Sequence, residues 1–527
     1  MIKKIDITLS LIAGAMLALA FPPLDFYSLA WIAIIPLLIS LGGKNLKASF
    51  FLGTLTGFVY FIGTIYWVFN SMYFYGHIPA VLSLLILIAL CLYLGVYIGM
   101  FSMLFKYISR SSRFPALFIV PVLWVTLEVV RTYAFTGFPW SILGYSQYSF
   151  LTFIQIADIT GVYGISFFVA AVNGAIFDVL IYWPKKLNKM PLFDRWPMPV
   201  GLSVLTLLLA ASMFYGMRHL RADEIGKKIR ASVIQGNFEQ EMKWDIKFQR
   251  KIIDTYKRLT AKAASYSPSL IVWPETAVPF IFGNSANQSD ASLTAEIVDF
   301  QKTLNTNLLF GSVMVKDIKD NEHQPFRPAN QTNLTNSAVL MSSDGRVLSV
   351  YDKMHLVPYG EYIPLKKFFP FIEKLVVGIG DFVPGKEYTV MDMQEAKISV
   401  LICYEIIFPG MVRKFADKGA NLFVSITNDA WFGRSSAPYQ HFSMAVFRAV
   451  ENRVPVLRAA NTGISGFIDT KGRIKRKGDI FIESVLTEEV AVGSLKKSFY
   501  TKYGDLFAFL CIISCVLLIA NNVYPKK

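Results

Sequence analysis

The chain has 527 residues, 54% of them hydrophobic and 17% charged, with a mean hydropathy of +0.44 and a net charge of +15. That is too apolar for a soluble protein of this length. The basic excess falls in short clusters between apolar runs, with no zinc-finger or RNA-binding signature, which argues against nucleic acid as a partner.

Apolar runs cover residues 7–22, 26–42, 49–69, 79–105, 114–131, 158–182, 199–216 and 504–522. Most approach the roughly 20 apolar residues that a helix needs to cross the hydrocarbon. The first run, behind Lys3 and Lys4, resembles a signal peptide, with Ala18-Leu19-Ala20 as a mimic of a cleavage site. The membrane-length run that follows at once favours a retained anchor. Lys44/Lys47, Lys106/Arg110/Arg113, Lys185/Lys186/Lys189/Arg195 and Lys526/Lys527 mark one side of the membrane. Asp25, the aromatic loop 70–77 and the loop 131–150 mark the other, with Arg131 its one strong cation. By the positive-inside rule both termini are cytoplasmic. Eight spans then place residues 218–500 outside, between a seven-span segment 1–217 and an eighth span with a tail in 501–527. Glu128 and Arg131, three apart on one helix face, can pair. The Gly137-Phe138-Pro139-Trp140 loop reads either as an interfacial aromatic belt or as the lipid-facing rim of a site.

Residues 218–500 change character. Strands are expected at 230–235, 269–273, 308–315, 388–393, 398–403, 422–427 and 454–458. A hairpin is expected over 338–350 around Asp344-Gly345, and another over 466–475 around Thr470-Lys471-Gly472. Helical patterns cover 240–264, 292–304 and 439–452. Strands alternating with helices, plus hairpins, indicate a layered α/β domain.

Three stretches of this domain carry chemistry. The run 398–402 reads as a buried strand with Cys403 at its end, where an α/β enzyme presents a nucleophile. Taken alone, such a cysteine is more often a small buried hydrophobe. Cys91, Cys511 and Cys515 lie in apolar runs, so the polar domain can build no disulfide framework. Trp273-Pro274-Glu275 puts a carboxylate where a strand stops, and Tyr351-Asp352-Lys353 puts an ammonium just after a hairpin. A carboxylate can activate a thiol, and a neighbouring ammonium favours the thiolate and stabilises an oxyanion. Each motif alone also fits a solvated surface charge. His355 and His441 have no metal partner in sequence and stand as isolated residues.

In this order the three motifs resemble the nitrilase superfamily with its Glu-Lys-Cys triad. Ile234-Gln235-Gly236-Asn237, Lys243-Trp244-Asp245, Lys353 through Pro364, Cys403-Tyr404-Glu405 and Thr427 through Gly433 resemble its membrane branch, the apolipoprotein N-acyltransferases. The resemblance implies an αββα sandwich inserted in a polytopic bundle of eight transmembrane helices. It implies Glu275 as base, Lys353 as oxyanion-stabilising cation and Cys403 as nucleophile. Glu361, Tyr404 and Glu405 are then supporting residues, and Trp244, Trp431, Phe138 and Trp140 substrate-binding ones. No metal or cofactor is implied. The expected partners are a phospholipid acyl donor, diacylglyceryl-modified apolipoproteins and membrane lipid. The expected place is the bacterial inner membrane, with the catalytic domain periplasmic. The alternatives are a membrane-anchored amidase with the same triad, and a transporter or lipid-binding scaffold with a degenerate outer domain.

Overall fold

The computed structural model describes residues 1–110, 114–182, 197–223, 226–316, 333–358, 360–362, 382–493 and 496–523. Every predicted apolar run carries helix, but not always one long continuous helix. Among the described residues, five helices are long and apolar enough to cross a membrane: Leu46–Ile65, Ala80–Ile108, Ala116–Tyr133, Ala157–Leu180 and Met198–Arg221. The Lys4–Leu19 helix has 16 residues, about 24 Å at the usual rise. Tyr27–Ser40 and Leu506–Asn521 are shorter apolar helices. The 26–42 run is not one continuous helix. A 3-10 turn at Tyr27–Trp31 gives way to a short α-helix at Ile35–Ser40, with Pro36 in its first turn. Proline has no N–H to donate and is tolerated where a helix begins.

Glycine sets the closest approach within the bundle. A Cβ on Gly57 would lie 2.7 Å from the Gly95 Cα, and one on Gly95 would lie 2.9 Å from the Thr54 carbonyl oxygen. In lipid, where apolar side chains gain little by meeting each other, such small-residue contacts let helix backbones pack.

The polar domain is built on two sheets. The first contains β1 (Lys228–Gln235), β2 (Leu270–Val272), β3 (Val278–Ile281), β4 (Asn307–Val315), β5 (Leu334–Met341), β6 (Val347–Asp352) and β13 (Ser484–Ala491). Its order is β13-β1-β2-β4-β5-β6, with β3 extending the β2 position along β4. The second contains β7 (Met391–Asp392), β8 (Lys397–Ile402), β9 (Leu422–Thr427), β10 (Val456–Ala460), β11 (Gly466–Ile468) and β12 (Ile474–Lys477), in the order β12-β11-β10-β9-β8-β7. Strands β1, β2 and β4 are parallel neighbours, as are β8, β9 and β10. The expected strand over 388–393 shrinks to the two residues of β7, which pair with β8.

Strand alternation sorts the side chains into layers. Leu270, Val272, Leu309, Ala338 and Leu340 face the second sheet and join its apolar core. Their neighbours Ile271, Leu308, Phe310, Val339 and Met341 point the other way, under the helices Ile246–Ala264 and Gln288–Lys302. The helices Pro409–Asp417 and Ala437–Asn452 cover the second sheet's outer face. This is a nitrilase-like α/β architecture joined to a helical apolar region. The core between the sheets continues through those last two helices into the bundle as one apolar cluster.

Candidate active site

Cys403, Glu275 and Lys353 arrive from three strand ends. Ile398, Val400 and Ile402 are fully buried in β8, and the strand stops where Cys403 takes a φ of 52° and opens a 3-10 turn. An L-residue rarely adopts that left-handed conformation. Glu275 follows β2 after Pro274, a residue that cannot donate to the ladder, and the adjacent Thr276 has a φ of 46°. Gly311 on β4 makes room for this turn, since a Cβ there would lie 2.7 Å from the Glu275 Cα. Lys353 follows the last residue of β6 and is 1% exposed.

The carboxylates gather around that ammonium. Lys353 Nζ lies 2.9 Å from Glu361 Oε1 and 3.4 Å from Glu275 Oε1. Asn336 on β5 donates its amide to both carboxylates, at 2.8 Å each. The Asn428 N–H, just beyond β9, donates to Glu275 Oε2 at 2.9 Å. The Val357 N–H donates to Glu361 Oε2 at 2.8 Å. Glu275 is thus held by groups from both sheets. Burial opposes the charge on Lys353, but Glu361, Glu275 and Cys403 outweigh it and hold its pKa above the usual value. Burial first, and then the Glu275 charge, push the Cys403 thiol well up, against the pull of Lys353. The resting thiol is therefore protonated and needs a base before it can attack.

Glu405 clamps the nucleophile to the lysine loop. Its Oε2 accepts from the Ile402 N–H at 2.8 Å, and its Oε1 accepts from the Tyr351 hydroxyl and the Met354 N–H, both at 2.7 Å. Burial pushes its pKa up to about 7, against these bonds and the Lys353 charge. Tyr404 is half-buried and its hydroxyl reaches the Gly137 carbonyl at 3.4 Å. His355 lies against Phe408, ring centroids 3.9 Å apart. Burial and the Lys353 charge push it down to about 4, so it is neutral at working pH.

The aromatic candidates divide. Trp140 is 1% exposed and donates to Gln440 Oε1 at 2.6 Å. It packs against Trp67 at 4.7 Å and Phe432 at 6.2 Å, with Phe138 stacked over it at 6.3 Å. Burial takes Trp140 off the surface and makes it the centre of an aromatic wall. Trp431 is 37% exposed, beside Tyr75. Trp244 ends the Glu241–Trp244 turn, and its side chain lies outside the described residues. Glu128 and Arg131 do not pair directly. Arg131 Nη1 donates to the carbonyls of Phe138 and Trp140 at 3.1 and 2.5 Å, while Glu128 Oε1 accepts from the Leu143 N–H at 2.7 Å. Both brace the Gly137–Leu143 segment.

Sequence reasoning missed several residues here. Lys243 is 1% exposed, and its Nζ donates to the Glu275 carbonyl at 2.9 Å and to Thr276 Oγ1 at 3.0 Å. Asn336 and Asn428 hold Glu275. His441 is not isolated: it sits 3.2 Å from the Cys403 carbonyl oxygen. Only the quoted motifs around Lys243 and Asn428 hinted at any of these. Among the described residues, no three His, Cys, Asp or Glu side chains converge as metal ligands.

Residues 13–175 match the family model described as the apolipoprotein N-acyltransferase N-terminal domain, and residues 230–498 match that for carbon-nitrogen hydrolases. A curated apolipoprotein N-acyltransferase from Geobacter metallireducens is 42% identical over 521 residues, covering 98% of this chain and 95% of that one. Another from Pasteurella multocida is 30% identical, covering 92% and 89%. Among solved structures, an amidase of the nitrilase superfamily from Nesterenkonia is 20% identical, with a TM-score of 0.38, covering 55% of this chain and 98% of its own.

Proposed function

The chain belongs to the apolipoprotein N-acyltransferase family, whose enzymes N-acylate lipoproteins, and on that premise we propose how this site performs the transfer. Glu275 takes the Cys403 proton, and the sulfur attacks the ester carbonyl of a phospholipid. Lys353 stabilises the tetrahedral oxyanion. The C–O bond breaks, Glu275 returns the proton to the leaving lysophospholipid, and an acyl thioester remains on Cys403. The free α-amine of a diacylglyceryl-cysteine then attacks the thioester. Glu275 accepts the amine proton, the C–S bond breaks, and the thiol is restored as the amide forms. Thioester to amide is downhill, so the exchange needs no further energy source.

The observation that carries this reading is the convergence itself. A raised thiol, a buried ammonium and a carboxylate held by Asn336 and Asn428 meet where the two sheets join. Glu361 and Glu405 support the site by fixing Lys353 and the Cys403 turn. The helical region supports a membrane enzyme. The alternation of basic clusters supports eight spans over 1–217 and 501–527, cytoplasmic termini and a periplasmic domain over 218–500 in a bacterial inner membrane. Both substrates are lipid-anchored, which accounts for a site built against the bundle. Phe138, Trp244 and Trp431 are proposed to line the lipid approach and limit water at the thioester, with Trp140 backing that wall from within.

The test is the intact mass of the purified protein after incubation with phospholipid, beside Cys403→Ala. The expected result is a hydroxylamine-labile acyl adduct on the wild type alone. Intact phospholipid with no adduct, or an adduct that survives in Cys403→Ala, would overturn the mechanism.

A further inference from the structure

Beneath the nucleophile lies a buried polar group that the proposed chemistry does not use. His441, in the Ala437–Asn452 helix, is 1% exposed. Its Nε2 lies 3.2 Å from the carbonyl oxygen of Cys403. Its Nδ1 lies 2.8 Å from Arg458 Nη2 and 3.2 Å from Asp429 Oδ1. A guanidinium has only donors to offer. The Cys403 carbonyl can only accept, so the ring carries a proton on Nε2. Arg458 can only donate, so Nδ1 accepts from it, and the 3.2 Å approach of Nδ1 to Asp429 Oδ1 is a contact between two acceptors that Arg458 bridges. An imidazolium would gain from Asp429 but bring a second cation against Arg458, and burial and the Arg458 charge outweigh Asp429 and lower the His441 pKa.

The groups behind the ring fix this choice. Arg458 also donates to Asp429 Oδ2 at 3.0 Å and to Ser425 Oγ at 3.1 Å. Asp429 Oδ1 accepts from Thr427 Oγ1 at 2.8 Å. A Cβ on Gly463 would fall 2.0 Å from Asp429 Oδ2, so that position closes the backbone over the carboxylate. On the other side the ring meets Trp140, centroids 5.7 Å apart. The outward product of the whole cluster is one N–H, directed at the peptide that carries Cys403 in its left-handed turn.

We propose that His441 is a positioning residue for the nucleophile: its Nε2–H, locked by Arg458 and Asp429, holds the Cys403 peptide in the conformation from which the thiol meets Glu275 and Lys353. The proposal rests on Cys403 being the acylated residue. His441 touches no substrate and takes part in no proton transfer. Its contribution is to the limiting rate of acylation and not to lipid affinity.

The experiment compares full-length wild type, Cys403→Ala, His441→Gln and His441→Asn in single-turnover acylation by phospholipid, followed by intact mass. The glutamine amide can place an N–H near the Nε2 position, whereas the asparagine amide is one methylene short of the Cys403 carbonyl. His441→Asn is expected to lower the limiting rate about 10- to 100-fold, the scale of a misplaced reacting group, with the half-saturating phospholipid unchanged. His441→Gln is expected to recover most of the rate. Equal rates for Asn and Gln, or a change confined to half-saturation, would overturn the proposal. A wild type with no adduct would instead overturn the assignment of Cys403. Histidine-selective nitrogen NMR on the wild type, assigned by difference against His441→Gln, gives an independent readout. A protonated Nε2 and bare Nδ1 are expected, and the other tautomer or an imidazolium would refute the argument.

Discussion

Replacing Gly311 by alanine moves the active site without touching any reacting group. An alanine Cβ would sit 2.6 Å from the Thr276 nitrogen, 2.7 Å from the Glu275 Cα and 2.8 Å from the Pro274 carbonyl oxygen. Ordinary contact begins near 3.4 Å. The turn must therefore retreat by about 0.8 Å, because interiors are too tightly packed to absorb the overlap. All three neighbours are main-chain atoms, so no rotamer change relieves the clash. The Glu275 carboxylate moves with its Cα, while its donors Asn336 and Asn428 stay on β5 and after β9. Bonds of 2.8 and 2.9 Å would then lengthen to about 3.6 Å, beyond useful hydrogen-bond range. A displacement of this size costs roughly 100-fold in rate, and the overpacking about 1–3 kcal/mol in stability. Single-turnover thioester formation measures the first, and thermal unfolding of the detergent-purified protein the second. A folded Gly311→Ala enzyme that forms thioester at the wild-type rate would refute the claim that this turn sets the position of the base.

Glu405→Gln faces the Ile402 N–H with a second donor and should cost about 1–3 kcal/mol in stability, with the thioester lost as the Cys403 turn loosens. The carboxyl of Glu405 rises to about 7 in the fold, so between about pH 4.5 and 7 the folded state holds a proton that the unfolded chain has released. The stability advantage of wild type over Glu405→Gln should therefore shrink as pH rises through that window; an advantage that grew would contradict it. Lys243 behaves in the opposite sense. Burial pushes it down to about 7, against the Glu275 charge, and a neutral amine still has two N–H groups for Glu275 and Thr276. Between pH 7 and about 10.5 the unfolded chain binds the extra proton, so the advantage of wild type over Lys243→Met should grow from pH 7 to 9. Lys243→Met should also slow thioester formation about tenfold, since it removes both bonds from the Glu275–Thr276 turn. An unchanged rate would assign Lys243 to packing alone.

The residues legible in sequence are those that sit where a strand visibly stops. Glu275, Lys353 and Cys403 each follow an apolar or alternating run, and a strand end is a local event that the chain announces. The groups that hold them are not local. Asn336 is a polar residue inside a strand, and its two partners lie 61 and 25 positions away. Nothing in an isolated stretch distinguishes it from a surface-facing position. His441 lies 38 positions from Cys403, on a helix whose buried face includes Gln440, Arg448 and Glu451, so its periodicity alone gave no reason to single it out. Strand β13 escaped notice because it is half-exposed along most of its length and lacks the apolar signature of a buried strand. The 26–42 run shows the converse. Composition records apolarity but not the break after Trp31, which divides the run into a 3-10 turn and a short α-helix.

Strands β1 and β13 are antiparallel neighbours, with Lys228 opposite Ala491. Partners in such a ladder stand about 5 Å apart. The polypeptide that enters the sheet at Lys228 and the one that leaves it at Ala491 therefore pass through almost the same point. Seen from the helices, the whole sandwich is a cassette whose two ends meet, and it closes a loop that is short in space however long it is in sequence. A bundle interrupted in this way keeps its connectivity whether the cassette folds early or late.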